Sequence, residues 1–295
     1  MRKFLLMALA VGLLTACEKE VWTENDAAVV TDDSGNVIPT KKFTFTMKGD
    51  FSDDWKTTRG YLAADGRDMT DVWVLDYMNS ELVQQLHQGD NTAEDFGKPV
   101  MNLALGNHHI YFVASRGTGA TLDTTAKTIV WERPNDTFWK DYEVSVVATS
   151  NGNRAVTLDR AVTKLRLTVT DAIADGATTF NIAPHTWYYG LNYQTGAPVS
   201  AQTDGVITIN IPANMIGATN TPLNIFGFSS NTEWTTDVVL NCKASSNDVI
   251  GSSTIMYVPF VRNRVTDYSG PLFGSGGSLT LSLNTDWLDA ETDTW

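Results

Sequence analysis

The sequence predicts an all-β protein, and three observations carry that prediction. Short runs in which apolar and polar residues alternate recur along most of the chain, the period of a strand with one buried face. Gly, Pro, Asn or Asp stands at nearly every junction between them, which is turn chemistry. The runs recur at roughly 8–15 residues, a spacing that points to sandwiches or barrels. A length of 295 residues suits two such units.

The N-terminus stands apart from this pattern. Arg2 and Lys3 precede an apolar run over residues 4–14, and the small Thr15 and Ala16 lead into Cys17. This is the layout of a secretory signal over residues 1–16, too short for a membrane span of about 20 residues. Its ending, Leu14-Thr15-Ala16-Cys17, resembles the bacterial lipobox. The resemblance implies cleavage before Cys17, a diacylglycerol on its thiol, and usually acylation of the new amine. A cysteine suits that chemistry because its thiolate is the nucleophile. Each buried CH₂ contributes about 0.8 kcal/mol, so two or three acyl chains hold durably where one does not. Residues 17–40 are polar and aperiodic and read as a tether. The "EKE" after Cys17 resembles the acidic surface-export signal of Bacteroidota lipoproteins.

The first expected strand is "KKFTFTMKG", with Phe43, Phe45 and Met47 on one face and Thr44 and Thr46 on the other. "TDVWVLDYM" is a longer apolar strand that ends in a turn at Asn79-Ser80. "NSELVQQLHQ" places Leu82 and Leu86 four apart and suits either a helix or a strand. "PVMNLALGNHHIYFVAS" reads as two strands with a hairpin turn at Gly106-Asn107. "KTIVWE" and "YEVSVVAT" follow. "SNGNR", residues 150–154, reads as a linker-like turn beside a boundary near residues 151–160, which places one domain at 41–155 and a second at 156–295. The second set opens with "TKLRLTVTDA", where Leu165, Leu167 and Val169 alternate with polar residues. It continues through "TTFNIA", "TWYYGLNY", "GVITINIP", "PLNIFGF", "TTDVVLNC", "STIMYVPF", "RNRVTDYSG" and "SLTLSLNTDW". No internal repeat is evident in the sequence.

Composition narrows the function. Asp and Glu number 34 against 21 Lys and Arg, a formal net charge of -13. A nucleic acid would be repelled by such a field, and no basic run offsets it. The signatures of a nucleophile elbow, a zinc helix, a phosphate loop and a paired CxxC are absent. No metal or cofactor is expected. His108 and His109, adjacent on a strand, point to opposite faces and cannot share an ion. Cys242, within "DVVLNCKA", reads as a small buried apolar side chain. Trp187, Tyr188, Tyr189 and Tyr193 cluster in one strand. They suit either core packing or, for Trp187, Tyr188 and Tyr189, a platform that stacks on sugar rings.

Several stretches taken in order resemble a known family: "FTFTMKGDF", "RGYLAADGRDMTDVWVLDYMN", "HIYFVASRG", "AVTLDRAVTKLRLTVTD" and "PFVRNRVTDYSGPLFG". The most specific is Arg262-Asn263-Arg264-Val265-Thr266 with Gly270. Together they resemble the fimbrillin-like minor subunits and anchor lipoproteins of Bacteroidota type V pili. The resemblance implies two Greek-key, transthyretin-like sandwiches and assembly with other fimbrial subunits by strand donation. It also implies a lipid anchor in the outer membrane, with a host or bacterial surface as a further partner. In stalk members of that family a protease cuts after an Arg or Lys and frees the first strand. Arg59 occupies the matching loop here, with Arg67 as second choice, and residues 43–48 match the first strand. Near the C-terminus, "GSGGS" precedes "LTLSLNTDW". Residues 279–287 are therefore either a movable donor strand or the last strand of the second sandwich. The alternative to a non-enzymatic pilus subunit is a surface glycan-binding lipoprotein of a polysaccharide-uptake system.

Overall fold

A computed structural model describes residue 31, residues 34–49 and residues 69–273. The first strands are β1 (Thr40–Lys48), β2 (Asp71–Met78), β3 (Glu81–Gln88), β4 (Val100–Ala104) and β5 (Gly106–Ser115). Next come β6 (Thr118–Asp123), β7 (Thr128–Arg133), β8 (Thr137–Val146), β9 (Asn153–Thr157) and β10 (Asp159–Arg160). Beyond them lie β11 (Val162–Val169), β12 (Ala177–Pro184), β13 (Thr186–Asn192), β14 (Pro198–Thr203) and β15 (Ile207–Asn210). The last four are β16 (Thr221–Phe228), β17 (Trp234–Ala244), β18 (Val249–Phe260) and β19 (Val265–Gly270). Among the described residues the one helix is a single 3-10 turn, Ala213–Met215.

The strands pair into five sheets, and their orders reveal a repeat that the sequence hides. Before Val162 one sheet runs β4-β1-β9 and the other β10-β8-β5-β2-β3; after it they run β16-β11-β19 and β15-β12-β17-β18. In each half the first strand sits in the middle of a three-stranded sheet. It is antiparallel to one neighbour and parallel to a strand late in that half, β9 in the first and β19 in the second. The facing sheet repeats as well: β3-β2-β5-β8 has the same order as β15-β12-β17-β18. The chain is therefore all-β, built as Greek-key sandwiches.

Alternation decides what each sandwich buries. Phe43, Phe45 and Met47 of β1 meet Met101, Leu103 and Val156 of their own sheet and Val74, Ile110 and Phe112 of the facing one. In the second half Leu165, Leu167 and Val169 play the part of the β1 side chains, against Phe180, Ile182, Val238 and Leu240. Each fully buried side chain of this kind contributes roughly 1.5–3 kcal/mol.

Each half also carries one extra hairpin, β6–β7 between β5 and β8 and β13–β14 between β12 and β15. The two hairpins join. Gly190, Leu191 and Asn192 of β13 stand opposite Val130, Ile129 and Thr128 of β7, completing a sheet of order β14-β13-β7-β6. Beneath it lies a third core of Trp73, Leu75, Tyr77, Tyr111 and Val113 with Trp131, Leu191, Tyr193 and Phe228. Trp131 stacks on Phe228 at 4.9 Å between centroids. Strand β2 is therefore covered on both faces, which explains why "VWVL" is continuously apolar rather than alternating.

Three local expectations are resolved here. "NSELVQQLHQ" is strand β3, joined to β2 through Asn79 and Ser80 at φ 52° and 68°, the left-handed pair of a two-residue hairpin turn. The hairpin expected at Gly106-Asn107 is not formed, because β4 and β5 belong to different sheets. Gly106 instead turns the chain across the sandwich at φ 144°, where a Cβ would lie 2.4 Å from Met78 Cε. The linker-like turn expected at "SNGNR" covers only residues 150–152 before the chain enters β9, and β10 follows. The first pairs in parallel with β1, and the second places Asp159 and Arg160 opposite Trp139 and Phe138.

Candidate functional site

Strand β1 is the feature that most constrains function. Its flanking ladders are half-length: residues 40–44 pair with β4 on one side and residues 44–48 with β9 on the other. Its counterpart β11 pairs with β16 over residues 162–169 and with β19 over residues 164–169. What holds β1 is its side chains. Phe45 meets Phe112 edge-on at 5.1 Å, Phe43 and Phe45 lie 6.1 Å apart, and the Arg154 guanidinium sits 5.2 Å over Phe43. Phe43, Phe45 and Met47 are all fully buried. Gly152 lets the neighbouring chain come close, since a Cβ there would lie 2.2 Å from the Lys42 carbonyl oxygen. The amide of Thr44 donates to that glycine's carbonyl at 2.7 Å. The arrangement is a strand seated in an apolar groove between two short neighbours.

Cys17, Arg59, Arg67 and residues 279–287 lie outside the described residues. The aromatic cluster lies inside them, and it corrects the platform reading. Trp187 and Tyr189 are 1% and 7% exposed in the core of the second half. The Trp187 indole donates to the Phe226 carbonyl at 3.0 Å and meets Phe260 edge-on at 5.1 Å. Strand alternation turns Tyr188 the other way, edge-on to Trp234 at 5.4 Å. The three rings share no exposed face on which a sugar could stack. Tyr193 joins the third core instead.

The other candidate chemistry is mostly structural. Cys242 is buried in the second core, and desolvation pushes its thiol up to about 11, which suits packing and disfavours the reactive thiolate. His108 Nδ1 lies 2.7 Å from Asp76 Oδ1 and its Nε2 lies 2.8 Å from the Ala104 carbonyl, with both residues buried. This pair ties β4 and β5 to β2. His87 stacks on Trp73 at 3.6 Å and bonds Asp71 at 2.8 Å. Exposed His185 pairs with Asp204 at 2.8 Å. On the outer face of β5 and β8, His109, Asp141 and Glu143 bring one ligand atom each within 4.8 Å. This exposed cluster is the one set of at least three metal-type donors among the described residues.

The "RNRVT" stretch acts as a joint. Arg262 donates from Nε to the Ser229 carbonyl at 2.9 Å and from Nη2 to the carbonyl of Gly196, in the β13–β14 turn. Asn263 adopts φ 56°, and its side-chain oxygen accepts from Arg160 at 3.3 Å. Arg160 in turn grips Asp136 through Nε at 2.6 Å and Nη2 at 2.9 Å, all buried. Nothing in the sequence linked Arg160, Asp136 and Asn263, which stand far apart along it. Close by, where the end of β7 meets β15 and β16, a cavity of about 400 Å³ opens. Glu132, Arg133, Tyr189, Thr208, Asn224 and Phe226 contribute to its walls.

No family model matches the chain, and no curated protein matches it in sequence. Solved structures do. A candidate adhesin from Bacteroides ovatus is 12% identical at a TM-score of 0.49, covering 87% of this chain and 100% of its own. The tip fimbrial protein Mfa3 from Porphyromonas gingivalis, truncated at its C-terminus, is 13% identical at 0.44, covering 82% and 99%. A candidate polysaccharide binding protein from Bacteroides thetaiotaomicron is 12% identical at 0.50, covering 80% of this chain and 92% of its own. Over that span the chain shares the fold of the Bacteroides thetaiotaomicron protein.

Proposed function

We propose that this chain is a non-enzymatic, lipid-anchored subunit of a cell-surface fimbrium, in an anchor or accessory role, that joins its neighbours by β-strand donation. The observation that carries the reading is β1: a central strand held by three fully buried side chains and two half-length ladders. Loss of such a strand leaves an open apolar groove between β4 and β9, and a strand from another subunit repairs it with the same backbone bonds. Cys17 carries the lipid in this reading. Arg59 lies in the connection between β1 and β2, where a cut would separate β1 from the rest of the chain. Residues 279–287, with Leu279, Leu281 and Leu283 alternating, supply the strand to be lent. The two sandwiches divide near Ala161, between β10 and β11.

The names of the structural neighbours, adhesins and a fimbrial tip protein among them, agree with a surface role. Among the described residues no helix is long and apolar enough to cross a membrane. In this reading the acyl chains on Cys17 provide the attachment.

The processing step is tested by limited trypsin digestion of the wild type and of Arg59→Ala, followed on a denaturing gel without boiling. A ladder of multimers that forms after cutting and is absent in Arg59→Ala supports a processed stalk-like subunit. Cutting at Arg59 with no ladder contradicts assembly through release of β1. Resistance of Arg59 to cutting in the folded protein removes it as the processing site.

A further inference from the structure

The Trp187 cluster is buried, but the cavity at the joint of the two halves has the composition that the cluster lacked. We infer that this cleft binds a neutral saccharide unit. Its walls come from the end of β7 in the first half and from β13, β15 and β16 in the second, so both halves contribute to it. Its volume of about 400 Å³ falls within the usual range of small-molecule sites, roughly 300–1,000 Å³.

The lining sets the ligand class. Tyr189, Ile225 and Phe226 give an apolar wall, while Glu132, Arg133 and Asn224 stand at the opening, exposed to solvent. Among the described residues these three polar side chains make no hydrogen bond or ion pair. A carboxylate accepts, a guanidinium donates, and a side-chain amide does both. That set matches the ring hydroxyls of a sugar, each of which donates and accepts, while the C–H face of the ring suits an aromatic or aliphatic wall.

Charge separates this class from its rivals. Glu132 and Arg133 place one charge of each sign on the cleft, and the protein as a whole carries -13. A polyanion such as a nucleic acid or a heavily sulfated glycan meets net repulsion, and an acidic sugar finds its Arg133 partner already offset by Glu132. The Glu132 stem rests on Gly119, where a Cβ would lie 2.8 Å from Glu132 Cγ at φ 70°. Gly119, on strand β6, thus leaves room for the Glu132 stem beside it.

The inference is independent of strand donation, since the cleft lies outside the β1 groove. The test is saturation-transfer NMR on the purified protein with a panel of methyl glycosides of glucose, galactose, mannose and N-acetylglucosamine and their β-linked disaccharides. Sialic and glucuronic acids serve as charged comparators. At least one neutral sugar is expected to bind, with affinity about tenfold weaker in Arg133→Ala and in Asn224→Ala, the equivalent of one good hydrogen bond. Both residues are exposed, so the variants should keep the wild-type far-UV spectrum and unfolding midpoint. Absence of any neutral sugar signal, binding of acidic sugars alone, or binding that both variants leave intact would each overturn the assignment.

Discussion

The phenol oxygens of Tyr77 and Tyr193 lie 2.7 Å apart, one on β2 and one just past β13, separated by 116 residues of chain. Lys127 donates to the Tyr77 oxygen at 3.0 Å and stands 4.8 Å above its ring. The pair sits in the core shared by both halves. Burial, and then the bond to Tyr77, push the Tyr193 phenol well above its ordinary range. The Tyr193 ring therefore stays neutral at physiological pH.

This contact makes the joint between the halves measurable. Tyr193→Phe should lower unfolding free energy by about 1–2 kcal/mol, and Tyr77→Phe by somewhat more because it also takes a bond from Lys127. A double-mutant cycle in urea should give a coupling of roughly 0.5–1.5 kcal/mol. Strict additivity of the two losses would mean that the hydroxyls do not work as a unit.

The buried His108–Asp76 pair predicts a pH slope. A carbonyl only accepts, so His108 Nε2 donates to Ala104 and Nδ1 is left to share a proton with Asp76. Burial alone would lower the His108 pKa. The bond and charge of Asp76, with the Ala104 carbonyl, outweigh it and hold the ring above its ordinary 6.5. Burial also raises Asp76, against the pull of His108. A raised folded-state pKa means stability fully present below the unfolded value and lost as pH rises through the folded one. The gap in urea stability between wild type and His108→Asn should therefore shrink as pH rises above the ordinary histidine value of about 6.5. A gap that stays constant or widens contradicts the assigned protonation.

Trp187 should behave as a core residue. Trp187→Ala is expected to cost about 3–5 kcal/mol in stability and to leave sugar binding at the separate cleft mouth unchanged wherever the protein stays folded. Gly227 lies against the indole, where a Cβ would sit 2.5 Å from Trp187 Cε2. Gly227→Ala should cost about 1–3 kcal/mol through overpacking, with part of the loss recovered by adding Trp187→Phe. Thermal melts of the three variants check this. A fully stable Trp187→Ala would return the ring to the surface and revive the platform.

Much of this was legible in the sequence because strands announce themselves by alternation. Phe43, Phe45 and Met47, and Leu165, Leu167 and Val169, were placed on the correct faces from period alone. What failed was pairing. Alternation does not say which sheet a strand joins, so β4 and β5 passed for a hairpin. The Gly and Asn residues around β9 gave a turn signal, although Gly152 is there to bring two backbones together. The "WYY" run shows the same limit from the other side: the alternation was visible, but which face was buried depended on the sheet beyond it. The cleft was illegible because Glu132 and Asn224 come to line one cavity only once the inserted hairpins pair and β7 is carried beside β13 and the second half.

The central claim is that β1 is a replaceable strand and that the chain lends one of its own. The direct measurement is assembly of a variant that begins after residue 60, and so lacks β1, followed by mass photometry and an unboiled denaturing gel. The account predicts SDS-resistant multimers that disappear when residues 279–295 are also deleted and that an excess of the free β1 peptide, residues 40–48, suppresses. A soluble variant that stays monomeric and does not capture that peptide would contradict it.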